Sequence, residues 1–100
     1  METYHLAELS ITYNEITTRL AFTAAQLVVV TETGFKLWYI EIDGMTQTSL
    51  LHMFNESEHI GVEIAGITAG GKPFKAYGYF HPNVQHHAAA IRGDGELAGF

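Results

Sequence analysis

The most unusual chemical feature of this sequence is its six histidines among one hundred residues. Three of them fall in Phe80-His81-Pro82-Asn83-Val84-Gln85-His86-His87. If Pro82 to Gln85 form a hairpin loop, His81 and His86 become cross-strand neighbours with Cβ atoms roughly 5 Å apart, a span that a metal ion can bridge. His87 cannot join them while extended, because adjacent strand residues point to opposite faces. A third ligand would have to come from His52, Glu58 or His59, and no spacing requires it. HExxH and His-x-His are both absent. No metal or other cofactor is therefore assigned, and polar side chains at a strand end account for the same residues.

Glu41 and Glu63 are the candidates for proton transfer, since both interrupt runs of apolar residues. A carboxyl pointing inward beside a histidine has a displaced pKa and can act as a base. Glu41 shares the parity of Phe35, Leu37 and Tyr39, so it can lie on a covered face; the simpler reading is that it marks where that face meets water. Glu41, Glu63, His81 and His86 are thus the catalytic candidates of an enzyme reading. Serine occurs only as Ser10, Ser49 and Ser57, never in a Gly-x-Ser-x-Gly elbow. Gly70-Gly71-Lys72 lacks the phosphate-loop pattern, and Pro73 follows where Ser or Thr should stand, so it reads as a hairpin tip. Arg92-Gly93-Asp94 matches the integrin-recognition tripeptide and reads as a turn.

Aromatic residues offer a different chemistry. Phe74 and Phe80 share one strand parity and Tyr77 and Tyr79 the other, so one pair packs a core while the tyrosines face out. With Trp38 and Tyr39, the two tyrosines form a candidate surface for an uncharged ligand or a subunit interface.

These residues must be positioned by strands. Leu27 to Gly44 reads as two strands joined by a Glu32-Thr33-Gly34 reversal, with β-branched and aromatic residues in both arms. In the second arm Phe35, Leu37 and Tyr39 oppose Lys36, Trp38, Ile40 and Ile42. Both faces are largely apolar, which suits a central strand covered on two sides.

Before this hairpin, Thr3 to Tyr13 alternates with a slip between Leu6 and Leu9, which a bulge near Ala7-Glu8 repairs. Asn14-Glu15 reads as a turn. From Ile16 to Ala25 both strand and helix patterns fit; three threonines and the following Val28-Val29-Val30 decide for strand.

The one clear helix is placed at about residues 47–55, capped by Thr46 and ended by Asn55, with Leu50, Leu51, Met53 and Phe54 on its apolar face. It should plug a barrel end or lie on a sheet. Ile60 to Thr68 and Phe74 to Phe80 follow as a hairpin, and their internal Gly61, Gly66 and Gly78 imply curvature. Pro82-Asn83 turns the chain into a strand from Val84 to Ile91, and Gly93-Asp94-Gly95 turns it into a last strand, Glu96 to Phe100. The fold class is mainly β: a small antiparallel barrel or rolled sheet of seven to eight short strands in one domain, residues 1–100. An open sheet packed on the helix, an α+β arrangement, is the alternative.

Composition narrows the partners. Hydrophobic residues make up 47% and charged residues 16% of the chain. So little charge leaves apolar surface uncovered, which favours homo-oligomerisation. Eleven acids against five bases give a net charge of −6, which disfavours nucleic acid. Leu27 to Val30, the longest aliphatic run, is far short of a membrane span. There are no cysteines, and METYHLAELSITYNE has neither the basic nor the apolar region of a signal peptide, so a soluble, cytoplasmic protein is expected. The leading functional expectation is a non-catalytic, self-associating binding module for an apolar small molecule or a protein. The alternative is a small acid–base enzyme whose candidate residues converge on one cavity.

Overall fold

A computed structural model describes residues 1–32 and 34–100, with Phe35 described by its backbone alone. Its elements are β1 (Glu2–Tyr13), β2 (Ile16–Arg19), β3 (Ala24–Glu32), β4 (Phe35–Asp43), α1 (Thr48–Glu56), β5 (Gly61–Thr68), β6 (Pro73–Asn83), a 3-10 turn (Val84–His86) and β7 (Ala88–Ala98). The strands are ordered β2-β1-β3-β4-β7-β6-β5, and β5 returns to pair with β1. Every pairing is antiparallel. Six strands therefore close a barrel, and β2 is an additional strand laid against β1. Closure removes the open edges that a rolled sheet would leave.

β1 makes closure possible by pairing with three strands. Glu2 to His5 lie against β3, Ser10 to Tyr13 against β2, and Leu6 to Thr12 against β5. Leu6 is opposite Thr68 and Glu8 is opposite Ile67, so Ala7 is an extra residue in β1. This is the bulge that the parity slip requires. It lets Leu6 and Leu9 both enter the core.

Asn14 and Glu15 both take positive φ, 50° and 66°, in the tight turn joining β1 to β2. Ile16 to Ala25 contains no helix, but it is not one strand. β2 ends at Arg19, the buried Leu20 crosses back, and β3 starts at Ala24. The crossing is held by Gln47, whose amide nitrogen donates to the Arg19 carbonyl at 3.0 Å and whose amide oxygen accepts the Ala21 N–H at 2.8 Å. Thr33, the centre of the expected β3–β4 reversal, lies outside the described residues.

The helix begins one residue later than the sequence suggests and ends at Glu56. Gln47, not Thr46, precedes its first turn, and it makes no side-chain cap because its amide is engaged by β2. Leu51 and Phe54 are buried, while Met53 is 41% exposed. Phe54 stacks on Phe80 with centroids 4.6 Å apart and meets Tyr13 edge-on at 4.9 Å. The helix thus closes the barrel end where β1 and β6 finish, and it does not cover a flank. For that reason the outer face of β4 is open. Leu37 is 54% and Tyr39 37% exposed, against the expectation of a strand covered on both sides.

β6 runs through Pro82 to Asn83, which pairs with Ala88, and the reversal occupies Val84 to His87, where His87 takes φ 51°. The expected turn at Pro82-Asn83 and strand from Val84 are corrected accordingly. Proline is tolerated here because the strand is ending. β7 then continues past Gly93-Asp94-Gly95, which is neither a turn nor the start of a further strand. From Tyr77↔Asp94 to Lys75↔Ala98, β7 takes four steps where β6 takes two. Gly95 at φ 79° absorbs the extra chain as an irregularity within the strand.

The interior is apolar. Leu9, Leu27, Ile40, Leu51, Phe80 and Ile91 are wholly buried, each contributing about 1.5–3 kcal/mol by leaving water. Among the described residues, the buried polar residue is Thr68, whose hydroxyl accepts the Lys72 N–H at the β5–β6 hairpin. No helix is long and apolar enough to cross a membrane among the described residues.

Candidate functional site

Glu41 and His81 are the two catalytic candidates that the fold brings near each other. Glu41 on β4 and His81 on β6 are each registered opposite Ala90 of β7, on the outer surface. Two strand spacings put their Cα atoms roughly 10 Å apart. The small side chains of Ala88 and Ala90 leave a groove of about 200 Å³ between them, walled also by Asp43 and Asn83. Both side chains are exposed. Glu63 faces outward from β5, opposite Tyr77, and His86 is exposed in the 3-10 turn. His81 does not face His86, since the four-residue loop begins two residues later than Pro82. The four candidates therefore occupy three separate places on the surface. No group of three His, Asp or Glu side chains suited to a metal ion occurs among the described residues.

Tyr77 and Tyr79 stand outside the barrel while Phe74 and Phe80 are buried, as their parity predicts. Tyr79 is clamped from β7. Its hydroxyl donates to the Asp94 carboxylate at 2.9 Å, and the Arg92 guanidinium lies 5.3 Å from its ring centroid. The bond to Asp94 and that carboxylate's charge raise the Tyr79 phenol above its usual 10, with Arg92 pulling the other way. Tyr77 meets Tyr79 edge-to-face at 6.0 Å. Its hydroxyl lies over Gly61, where a Cβ would collide with it. Arg92 and Asp94 are thus partners of an aromatic pair, not turn residues. The signal that could have found them is their i, i+2 spacing opposite two tyrosines at the same spacing.

Trp38 leaves the set of surface candidates. Its parity is that of Ile40 and Ile42, and it is 5% exposed inside the barrel, where its indole N–H donates to the Gly95 carbonyl at 3.2 Å. Tyr39 remains outside, in a row that crosses the sheet as Tyr39, Arg92, Tyr79 and Gly61.

Two larger grooves mark the outer face of β1, β5 and β6. One, about 640 Å³, is mainly apolar, with Ser10, Ala65, Ile67 and Ala98 in its lining, Lys75 on one wall and Arg19 on another. Arg19 is paired with Glu8 at 2.9 Å. The other, about 530 Å³, is lined by Glu15, Glu58, Glu63, Tyr13, Tyr77 and Tyr79. Both volumes lie within the usual range of ligand or side-chain docking sites. Glu63, Tyr77 and Tyr79 are legible in the sequence; the apolar groove, assembled from small residues on four strands, is not. Comparison with known proteins finds no matching family model, no matching curated protein and no matching solved structure.

Proposed function

We propose that this protein is a non-catalytic binding module that associates with itself and offers an apolar and aromatic outer face to a protein or an uncharged ligand. The observation that carries this reading is the contrast between inside and outside. The barrel lumen is filled by aliphatic and aromatic side chains, while Leu37, Tyr39 and Tyr77 stand in solvent on the flank. Large exposed side chains and aromatic rings of this kind are what an interface core is built from. Sedimentation at increasing protein concentration tests it. Reversible self-association is the expected result, and a single species of monomer mass at the highest concentration overturns the reading.

A second reading, a small acid–base enzyme, is favoured by the placement of Glu41 and His81 on either side of Ala90. The groove between them, about 200 Å³, is smaller than usual substrate sites, so the binding module is preferred. A chemical-shift titration of His81 distinguishes the two, since an acid–base site requires its pH response to change when Glu41→Gln is introduced.

A further inference from the structure

We infer that self-association takes the form of a two-fold dimer through the outer face of β1, β5 and β6, in which the Lys75 half of that face on one copy lies against the Glu63–Tyr77 half of its partner. The inference rests on the reading that the protein associates with itself, and it assigns that association a surface and a register.

Two neighbouring outward rows cross these strands. Ser10, Ala65 and Lys75 are registered with one another in the first; Thr12, Glu63 and Tyr77 are registered in the second. The rows are one pleat repeat apart, about 7 Å along the strands. The first row floors the apolar groove and has small side chains beside a cation. The second row holds a carboxylate and a phenol ring that is 43% exposed, and its groove gathers Glu15 and Glu58 as well. Trough and cation therefore lie next to ridge and anion on a single face.

Consider a two-fold axis lying in the interface and running across the strands between the two rows. It turns each row onto the other row of the second copy. Lys75 then reaches the partner's Tyr77 ring and the adjacent carboxylate of the partner's Glu63, while Tyr77 enters the trough over the partner's Ala65. Every contact is made twice, as an isologous interface requires. Among the described residues Lys75 has no ion-pair partner, whereas Arg19 is already occupied by Glu8. Charge also decides between faces. With a net charge of −6, two copies repel unless the contact sets a base against an acid. The Tyr39 row is the less suitable seat, because its cation, Arg92, already lies over Tyr79 of the same chain.

The test uses two charge reversals, Lys75→Glu and Glu63→Lys, in the full chain. Both positions are exposed, and a thermal melt confirms that each variant stays folded. Each alone sets like charges together and raises the dimer dissociation constant by about tenfold or more. Mixing the two variants then restores association to near the wild-type strength, because positions 75 and 63 again carry opposite charges at both symmetry-related contacts of the mixed dimer. That rescue in trans cannot arise from a contact within one chain. A wild-type dimer that ignores both reversals, or a mixture no stronger than its components, overturns this surface while self-association stands. A monomeric wild type overturns both readings.

Discussion

The Tyr79 hydroxyl donates its proton to the Asp94 carboxylate across the β6–β7 pair, at 2.9 Å. The bond exists only while the phenol is neutral, which is why the phenol is pushed above 10. The consequence for stability has a definite sign. A group whose folded pKa is raised contributes fully below its unfolded value and loses that contribution as pH rises through the folded value. Ionisation of the Tyr79 phenol therefore adds no pH dependence at neutrality, and it removes the bond in the alkaline range above 10. Ultraviolet titration of phenolate is expected to show a late-ionising tyrosine that moves back toward 10 in Asp94→Asn. An unchanged curve in that variant would count against the bond. Tyr4, raised by its bond to Glu2, supplies a control that Asp94→Asn leaves in place.

Gly93 is fixed by the chain's single tryptophan. A Cβ there would meet the Trp38 ring and its backbone carbonyl. The indole cannot swing away without giving up its hydrogen bond to Gly95. Gly93→Ala is expected to destabilise the barrel by about 1–3 kcal/mol through overpacking. Denaturant unfolding measures this directly. A shift in tryptophan emission should accompany it, because the environment of Trp38 changes with the strain.

Gln47 joins the start of α1 to the end of β2 by two hydrogen bonds from one amide. Gln47→Ala removes both, and the expected loss is about 1–2 kcal/mol, since each bond is solvent-accessible and contributes about 0.5–1.5 kcal/mol. Gln47→Glu keeps the acceptor for the Ala21 N–H but loses the donor to Arg19, so it should fall between wild type and alanine. Amide exchange at Ala21 is the local readout. Faster exchange is expected in Gln47→Ala, and equal rates would show that the bond is not formed in solution.

Much of the barrel is legible in the sequence because a strand's period of two is a local property. Val62 and Ile64, or Phe74 and Phe80, mark their inner face without reference to any other strand, and the slip between Leu6 and Leu9 marks a bulge because an extra residue inverts parity. Closure is different. β5 lies against β1 through pairs such as Ile11↔Ile64, and a pairing so distant along the chain leaves no trace in either segment. Glycine misleads at Gly93-Asp94-Gly95, since a positive φ serves a tight turn and an irregular strand equally well. Thr46 is passed over as a cap because Gln47, held by β2, sets where the helix starts. At the surface, parity places Tyr77 and Tyr79 outside and would also have placed Trp38 inside, with Ile40. Grouping Trp38 with its neighbour Tyr39 by residue type alone is what misassigns it. The trough of Ala65 and Ser10 has no sequence signature, because small residues announce neither burial nor chemistry.

Leu37 and Ile40 occupy the same strand and face opposite sides of the barrel, so paired substitutions weigh the interior against the flank. Ile40 is wholly buried, and Ile40→Ala should cost about 2–5 kcal/mol, the transfer of the lost methyl groups plus the cavity they leave. Leu37 is 54% exposed, and Leu37→Ser should change the stability of the isolated chain by no more than about 0.5 kcal/mol. The comparison gains force if unfolding is followed at several protein concentrations. A partner that buries Leu37, whether a second copy or another protein, makes Leu37→Ser costly only where that partner is bound, because association adds stability by mass action. A penalty that appears at high concentration and vanishes on dilution would place Leu37 inside a contact between copies and move the proposed dimer face from β5–β6 toward β4. A penalty that is absent at every concentration leaves the Lys75–Glu63 face as the proposed site of pairing and the Leu37–Tyr39 flank open to a different partner.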